Sequence, residues 1–167
     1  VPVPGASADQ GGQFLHKRGR VALAQGDFGP AKRFSDAELA LVRDASLAPA
    51  VLFNALSTAG GARWGLSDYD GAEALFREGL AVASRDAAPD DMDVARARAN
   101  MGLILQATSH FAQAQTMDEQ RLATYQKVLG PDHPRTMPVR RDRGPSYYHQ
   151  GLDGKARPIP EQVLHQQ

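Results

Sequence analysis

The chain has 167 residues with 42% hydrophobic content, which is enough for one packed domain and excludes a disordered tail. Its 19 Lys and Arg balance 19 Asp and Glu, so no whole-molecule field favours nucleic acid or an anionic membrane, and a charged partner has to be chosen by a local patch. With no cysteine, disulfides, thiol catalysis and Cys-ligated metal centres are excluded, and no apolar run approaches the roughly 20 residues that cross a bilayer.

The first segment, VPVPGASADQGG, is rich in Pro, Gly and Ser and reads as a flexible arm over residues 1–12, outside the fold. From residue 13 one unit is written four times. A glycine is followed twelve residues later by an alanine at Gly19/Ala31, Gly60/Ala72, Gly102/Ala114 and Gly144/Ala156, in steps of 41, 42 and 42 residues. A fixed period of about 20 to 50 residues is the mark of a solenoid of stacked supersecondary units. An aromatic stands three residues before the alanine at Phe28, Tyr69 and Phe111, but Asp153 holds that place in the fourth copy.

In the first copy, about 13–47, Leu15, Gly19, Ala22 and Leu23 fall on one helical face; after the turn QGDF the run Ala31, Phe34, Ala37/Glu38 and Leu41 repeats the pattern. The second copy, about 48–88, gives Leu52/Phe53, Leu56, Gly60 and Trp64, then the turn LSDY, then Ala72, Leu75/Phe76 and Leu80. Its first helix carries Gly60, Gly61 and Gly65, each costing about 1 kcal/mol relative to Ala, so local mobility is expected there. The third copy, about 90–130, gives Ala97, Met101 and Leu105, the turn TSHF, then Ala114, Met117, Leu122 and Tyr125. Trp64 and Tyr125 are expected in the core. Each copy is thus an antiparallel helix hairpin whose turn offers a left-handed C′ residue and then an N-cap.

Between copies, AAPDDMD at Ala87–Asp93 supplies Asp90 or Asp91 as an N-cap, and LGPDHPRT at Leu129–Thr136 supplies a Gly terminator, a Pro breaker and Asp132 or His133 as a cap. The fourth copy, about 134–167, is degenerate. Pro145 falls inside its first helix, where an interior proline costs roughly 3 kcal/mol, and Pro160 occupies an aromatic position of the second.

Few residues carry chemistry. The histidines lack metal-binding spacing, DDMD lacks the glycine and closing glutamate of a calcium loop, and no nucleophile elbow, P-loop or dinucleotide fingerprint is present. The sequence therefore predicts no enzyme, cofactor or metal. Arg135, Arg140, Arg141 and Arg143 are interleaved with acids and lack aromatics to stack bases, so they read as a solvated face.

At this point the residues resemble tetratricopeptide (TPR) repeats in their longer form of about 42 residues. LGPDHPRT looks like the inter-repeat loop of kinesin light chain type TPRs and of bacterial regulators, and GRVALAQGDFGPAKRFSDAEL, GGARWGLSDYDGAEALFREGL and GLILQATSHFAQAQTMDEQRL resemble the repeat core. The resemblance covers residues 13–167 and implies a right-handed α-solenoid, three sound repeats and a degenerate fourth in a single domain.

The resemblance further implies that the first helices line a concave groove for a peptide or partner segment, through Lys17, Arg20, Asn54, Thr58, Arg96, Asn100 and Arg141. The four cations would make that groove basic and suit an acidic or C-terminal carboxylate segment, with Asn100 bonding its backbone; the plainer alternative is a set of solvated helix-face charges. Thr58 and Asn100 depart from the set that clamps chaperone tails. The expected function is a non-catalytic, cytoplasmic protein-interaction scaffold with no nucleic-acid or membrane partner. Its alternative is a sensing or regulatory TPR segment of a larger bacterial signalling or transcription regulator.

Overall fold

The computed structural model describes residues 8–44, 48–85, 88 and 91–139, and these are helical apart from short turns. Six helices follow in order: α1 (Ala8–Ala24), α2 (Phe28–Asp44), α3 (Pro49–Gly65), α4 (Tyr69–Ser84), α5 (Met92–Ala107) and α6 (Phe111–Leu129), with a further helical turn at 136–139. The chain divides into two compact units, Val1–Arg85 and Asp86–Gln167, where the sequence suggests a single domain. In the first, α1 pairs with α2 and α3 with α4, while α3 also packs on α1 and α2; in the second, α5 pairs with α6.

Local chemistry explains the hairpins. At all three turns the backbone closes in the same way: Asp27 N–H donates to Ala22 O (2.9 Å), Asp68 N–H to Arg63 O (3.0 Å) and His110 N–H to Leu105 O (2.7 Å). This is the six-to-one bond of a Schellman stop, which requires a left-handed residue just before the donor. Gly26 (φ 77°) fills that place in the first turn, and Ser67 (φ 61°) and Ser109 (φ 62°) fill it in the others, where an L side chain is strained. The next helix then starts at once, Ala31, Ala72 and Ala114 each donating N–H to the turn residue four before it. All three alanines are fully buried. They are the small positions of the repeat, and Ala31 packs with Ala22 of α1 and Ala62 of α3.

Cap assignments resolve in the same local terms. Asp68 Oδ1 accepts from Gly71 N (3.0 Å), and Asp91 Oδ1 accepts from Asp93 N (2.7 Å) and Val94 N (3.4 Å), so Asp91 caps α5. His133 Nδ1 accepts from Arg135 N (3.1 Å), and the His133 carbonyl accepts from Thr136 N–H and Met137 N–H, which places the histidine at a helix start. Buried Thr136 donates its hydroxyl to Gly130 O (2.9 Å) and ties this turn back to the end of α6.

Two expectations change, the start of α1 and the place of Trp64, and the glycines of α3 gain a packing role. α1 begins at Ala8, inside the segment expected to be an arm, because Gly11 and Gly12 are half-buried and a Cβ at Gly11 would already touch Leu41 of α2. α3 is unbroken despite its glycines: a Cβ at Gly60 would overlap the Phe76 ring and one at Gly65 the Phe28 ring, so those glycines are where aromatics lie against the helix backbone. Trp64 is 40% exposed, outside the core, while the Phe28 ring lies against the neighbouring Gly65. Tyr125, by contrast, is buried with Ala95, Leu122 and Val139 as expected. Of the fourth copy, all but residues 134–139 lies outside the described residues, Pro145 and Pro160 included.

Candidate functional site

Along α1, Lys17 and Arg20 stand one turn apart, and both are exposed. Among the described residues neither is paired with a carboxylate. Several other cations of this unit are engaged: Arg63 binds Asp36 at 2.8 Å, Arg43 binds Glu78 at 2.6 Å, and Arg18 lies 5.7 and 5.5 Å from the Phe14 and Phe34 ring centres. Burial would raise the Asp36 carboxyl, but hydrogen bonds and charges from Lys32 and Arg63 outweigh it and hold the group below its ordinary value.

Beside Lys17 a cavity of about 210 Å³ opens between α1, α2 and α3. Helix α1 contributes Gly12, Gln13, His16 and Lys17; α2 contributes Glu38 and Val42; α3 contributes Val51 and Asn54. Glu38 is only 2% exposed, and its Oε1 lies 2.9 Å from His16 Nδ1. Its other oxygen, Oε2, is buried with no hydrogen-bond partner among the described residues. Removing a carboxylate from water disfavours its charged form, and burial pushes Glu38 up to about 7.

The expected groove residues separate on this geometry. Lys17 and Asn54 line the same cavity, with Arg20 on the next turn. Thr58 does not belong to an open face: it is 5% exposed, its hydroxyl donates to Asn54 O (3.0 Å), and its methyl lies where a Cβ on Gly19 would reach it at 3.4 Å. The close approach of α1 to α3 at Gly19 is what buries it. In the second unit Arg96 is exposed but bound to Asp93 at 2.7 Å, and Asn100 is half-buried on α5. Arg141 lies outside the described residues. Sequence reasoning missed Glu38 as a site residue by placing it on the apolar face of α2. An acid at a position spaced with Ala31, Phe34 and Leu41 was the available clue.

No group of three or more His, Asp or Glu side chains among the described residues could hold a metal, and no described helix is long and apolar enough to cross a membrane.

The tetratricopeptide repeat family model matches residues 51–127, from α3 to the end of α6. Among solved structures, the nearly identical TPR-like repeats described as a kinesin light chain in Podosopora anserina align over 92% of this chain and 73% of theirs, at 16% identity and a TM-score of 0.82. BtubC (BKLC) from P. vanneervenii aligns over 93% of this chain and 63% of its own, at 19% identity and a TM-score of 0.81. The apo form of RapI aligns over 95% of this chain and 43% of its own, at 12% identity and a TM-score of 0.79. These identities speak for the fold alone. No curated protein sequence matches the chain. Residues 51–127 match the tetratricopeptide repeat family, and the described residues of the chain have the all-α fold of such repeats.

Proposed function

We propose that the protein is a non-catalytic scaffold that holds an acidic segment of a partner protein against the α1–α3 face of its first unit. The observation that carries this reading is the pair Lys17 and Arg20, exposed on adjacent turns of α1 and without a carboxylate partner among the described residues, beside a cavity edged by Asn54. Charges already neutralised within the fold have little left to give a ligand, and Arg96, bound to Asp93, is in that position. Neither nucleic acid nor membrane is part of this reading, and its setting is cytoplasmic.

The test is direct titration with a fluorescent, lysine-free decapeptide of Asp and Glu. Lys17→Glu/Arg20→Glu should weaken binding at least tenfold, the equivalent of about 1.4 kcal/mol spread over two contacts that are each worth roughly 0.2–1 kcal/mol before reversal. Arg96→Glu should have a smaller effect. Unchanged binding in the Lys17/Arg20 variant would remove the reading. A second reading, a regulatory segment of a larger bacterial regulator, is supported by the resemblance of GDFGPAK and LSDYDGAEALFREGLAVASR to repeats that follow the ATPase and DNA-binding domains of such regulators. Comparing the isolated chain with its full-length parent in the same titration separates the two.

A further inference from the structure

The cavity between α1, α2 and α3 is unlike the basic face around it. Its volume of about 210 Å³ lies below the roughly 300–1,000 Å³ of sites that enclose a whole small molecule, so it suits one side chain. The buried Glu38 carboxylate is among its lining groups, while Val42 and Val51 give it apolar wall. A carboxylate in that setting requires a donor for each oxygen, and an unmet acceptor in the interior is costly. Oε1 lies 2.9 Å from His16 Nδ1, a close contact without a hydrogen bond between them; Oε2 has no hydrogen-bond partner among the described residues.

We infer that this cavity is a socket for a single lysine side chain of the partner segment, its ammonium seated on Glu38 Oε2 and its methylene stem between Val42 and Val51. The inference rests on the reading above, since the lysine arrives within the segment that Lys17 and Arg20 attract. Lysine fits better than arginine for a geometric reason. A guanidinium binds a carboxylate best as a two-pronged fork, and here His16 already stands 2.9 Å from one oxygen, whereas an ammonium is a compact point charge on a flexible stem that lies along apolar surface. The recognised segment is therefore acidic with one lysine set in it. Lys17 at the mouth meets the flanking acids and Glu38 inside meets the lysine.

The charged or titratable groups lining the cavity are His16 and Lys17 from α1 and Glu38 from α2; α3 contributes none. With Glu38 raised to about 7 by burial, the seated ammonium takes the place of a proton. Ammonium binding should then weaken about tenfold for each pH unit below that value, the amine itself staying charged to about pH 10.

The experiment is an NMR titration of the whole chain with n-butylammonium at pH 8, with n-butylguanidinium and pentanoate as comparators. Butylammonium should give saturable shifts at Glu38 and Val51, bind more tightly than butylguanidinium, and lose at least tenfold in affinity both on acidification to pH 6 and in Glu38→Gln. Val51→Trp, which fills the mouth and leaves the carboxylate in place, should also lose it and decides the matter if Glu38→Gln does not fold. Absence of saturable shifts at pH 8, retained affinity in a folded Glu38→Gln or in Val51→Trp, or equal binding of pentanoate overturns the socket. The lysine-free acidic decapeptide should bind Glu38→Gln as it binds the parent, so loss of the socket and loss of the basic face are read separately.

Discussion

The three complete helix pairs share their turns but fill the position facing the repeat glycine with different chemistry. In the second pair the Phe76 ring lies against Gly60; in the third, at the same place in the period, buried Asp118 lies over Gly102 and pairs with Arg121 at 3.0 Å. In the first pair the corresponding residue is Ser35, fully buried, its hydroxyl turned back to Lys32 O (3.1 Å). One turn further on the copies diverge again, as Glu38, Gly79 and Arg121. The second pair is closed by hydrocarbon, the first and third by polar or ionisable groups. The small residues set how closely the helices approach, and the facing residue is then free to vary provided its own bonding is met.

Four measurements would break or sharpen that contrast. The largest effect is expected from Phe76→Ala, which empties a site that is 3% exposed and should cost about 3–5 kcal/mol in chemical denaturation, equally at pH 5 and pH 8. Gly60→Ala comes next: its methyl has to displace the Phe76 ring, and the loss of roughly 1–3 kcal/mol should exceed the helix-propensity gain of about 1 kcal/mol. Gly102→Ala, whose methyl would meet Asp118 Oδ1 at 3.4 Å, should fall well short of that loss. If both alanines cost the same, the facing residue does not set the tolerance.

The third measurement follows the acid of the first pair with pH. Glu38 is raised from an ordinary value of 4.5 to about 7, so the folded state holds its proton more firmly than the unfolded state. Its contribution is most favourable below about pH 4.5 and is lost as pH rises through about 7. Glu38→Gln should remove that loss, leaving stability near the parent at pH 4 and raising it at pH 8 by up to about 3 kcal/mol, less whatever His16 forfeits. A parent and variant with parallel pH curves would sink the assignment. The smallest effects belong to the turns. Ser67→Gly and Ser109→Gly relieve a left-handed serine and should each raise the melting midpoint by the equivalent of about 0.5–1 kcal/mol, partly offset by a floppier unfolded chain.

What was legible in the sequence is what short-range chemistry decides. Gly26, Asp91 and His133 act on residues within a few positions of themselves, and each does what its type and place imply. The apolar period likewise located the buried alanines, Met101 and Tyr125. Thr58, Trp64 and Glu38 were not legible, because the helix that buries or uncovers each lies elsewhere in the chain. Thr58 is buried by the approach at Gly19, the Phe28 ring lies at Gly65 while Trp64 stays outside the core, and Glu38 is enclosed with α1 and α3. The start of α1 belongs with them, since Gly11 lies where a Cβ would meet Leu41 of α2.

Three turns closed by the same backbone bonds have a consequence for how such a protein diversifies. The closure asks only that one residue accept a left-handed conformation, and glycine or serine meets it at different cost. The hinge of each pair is therefore inherited independently of what its helices carry. A lineage can exchange a facing residue together with the groups that bond it, a phenyl ring in one pair and the Asp118–Arg121 ion pair in another, while the turn that joins the helices is kept.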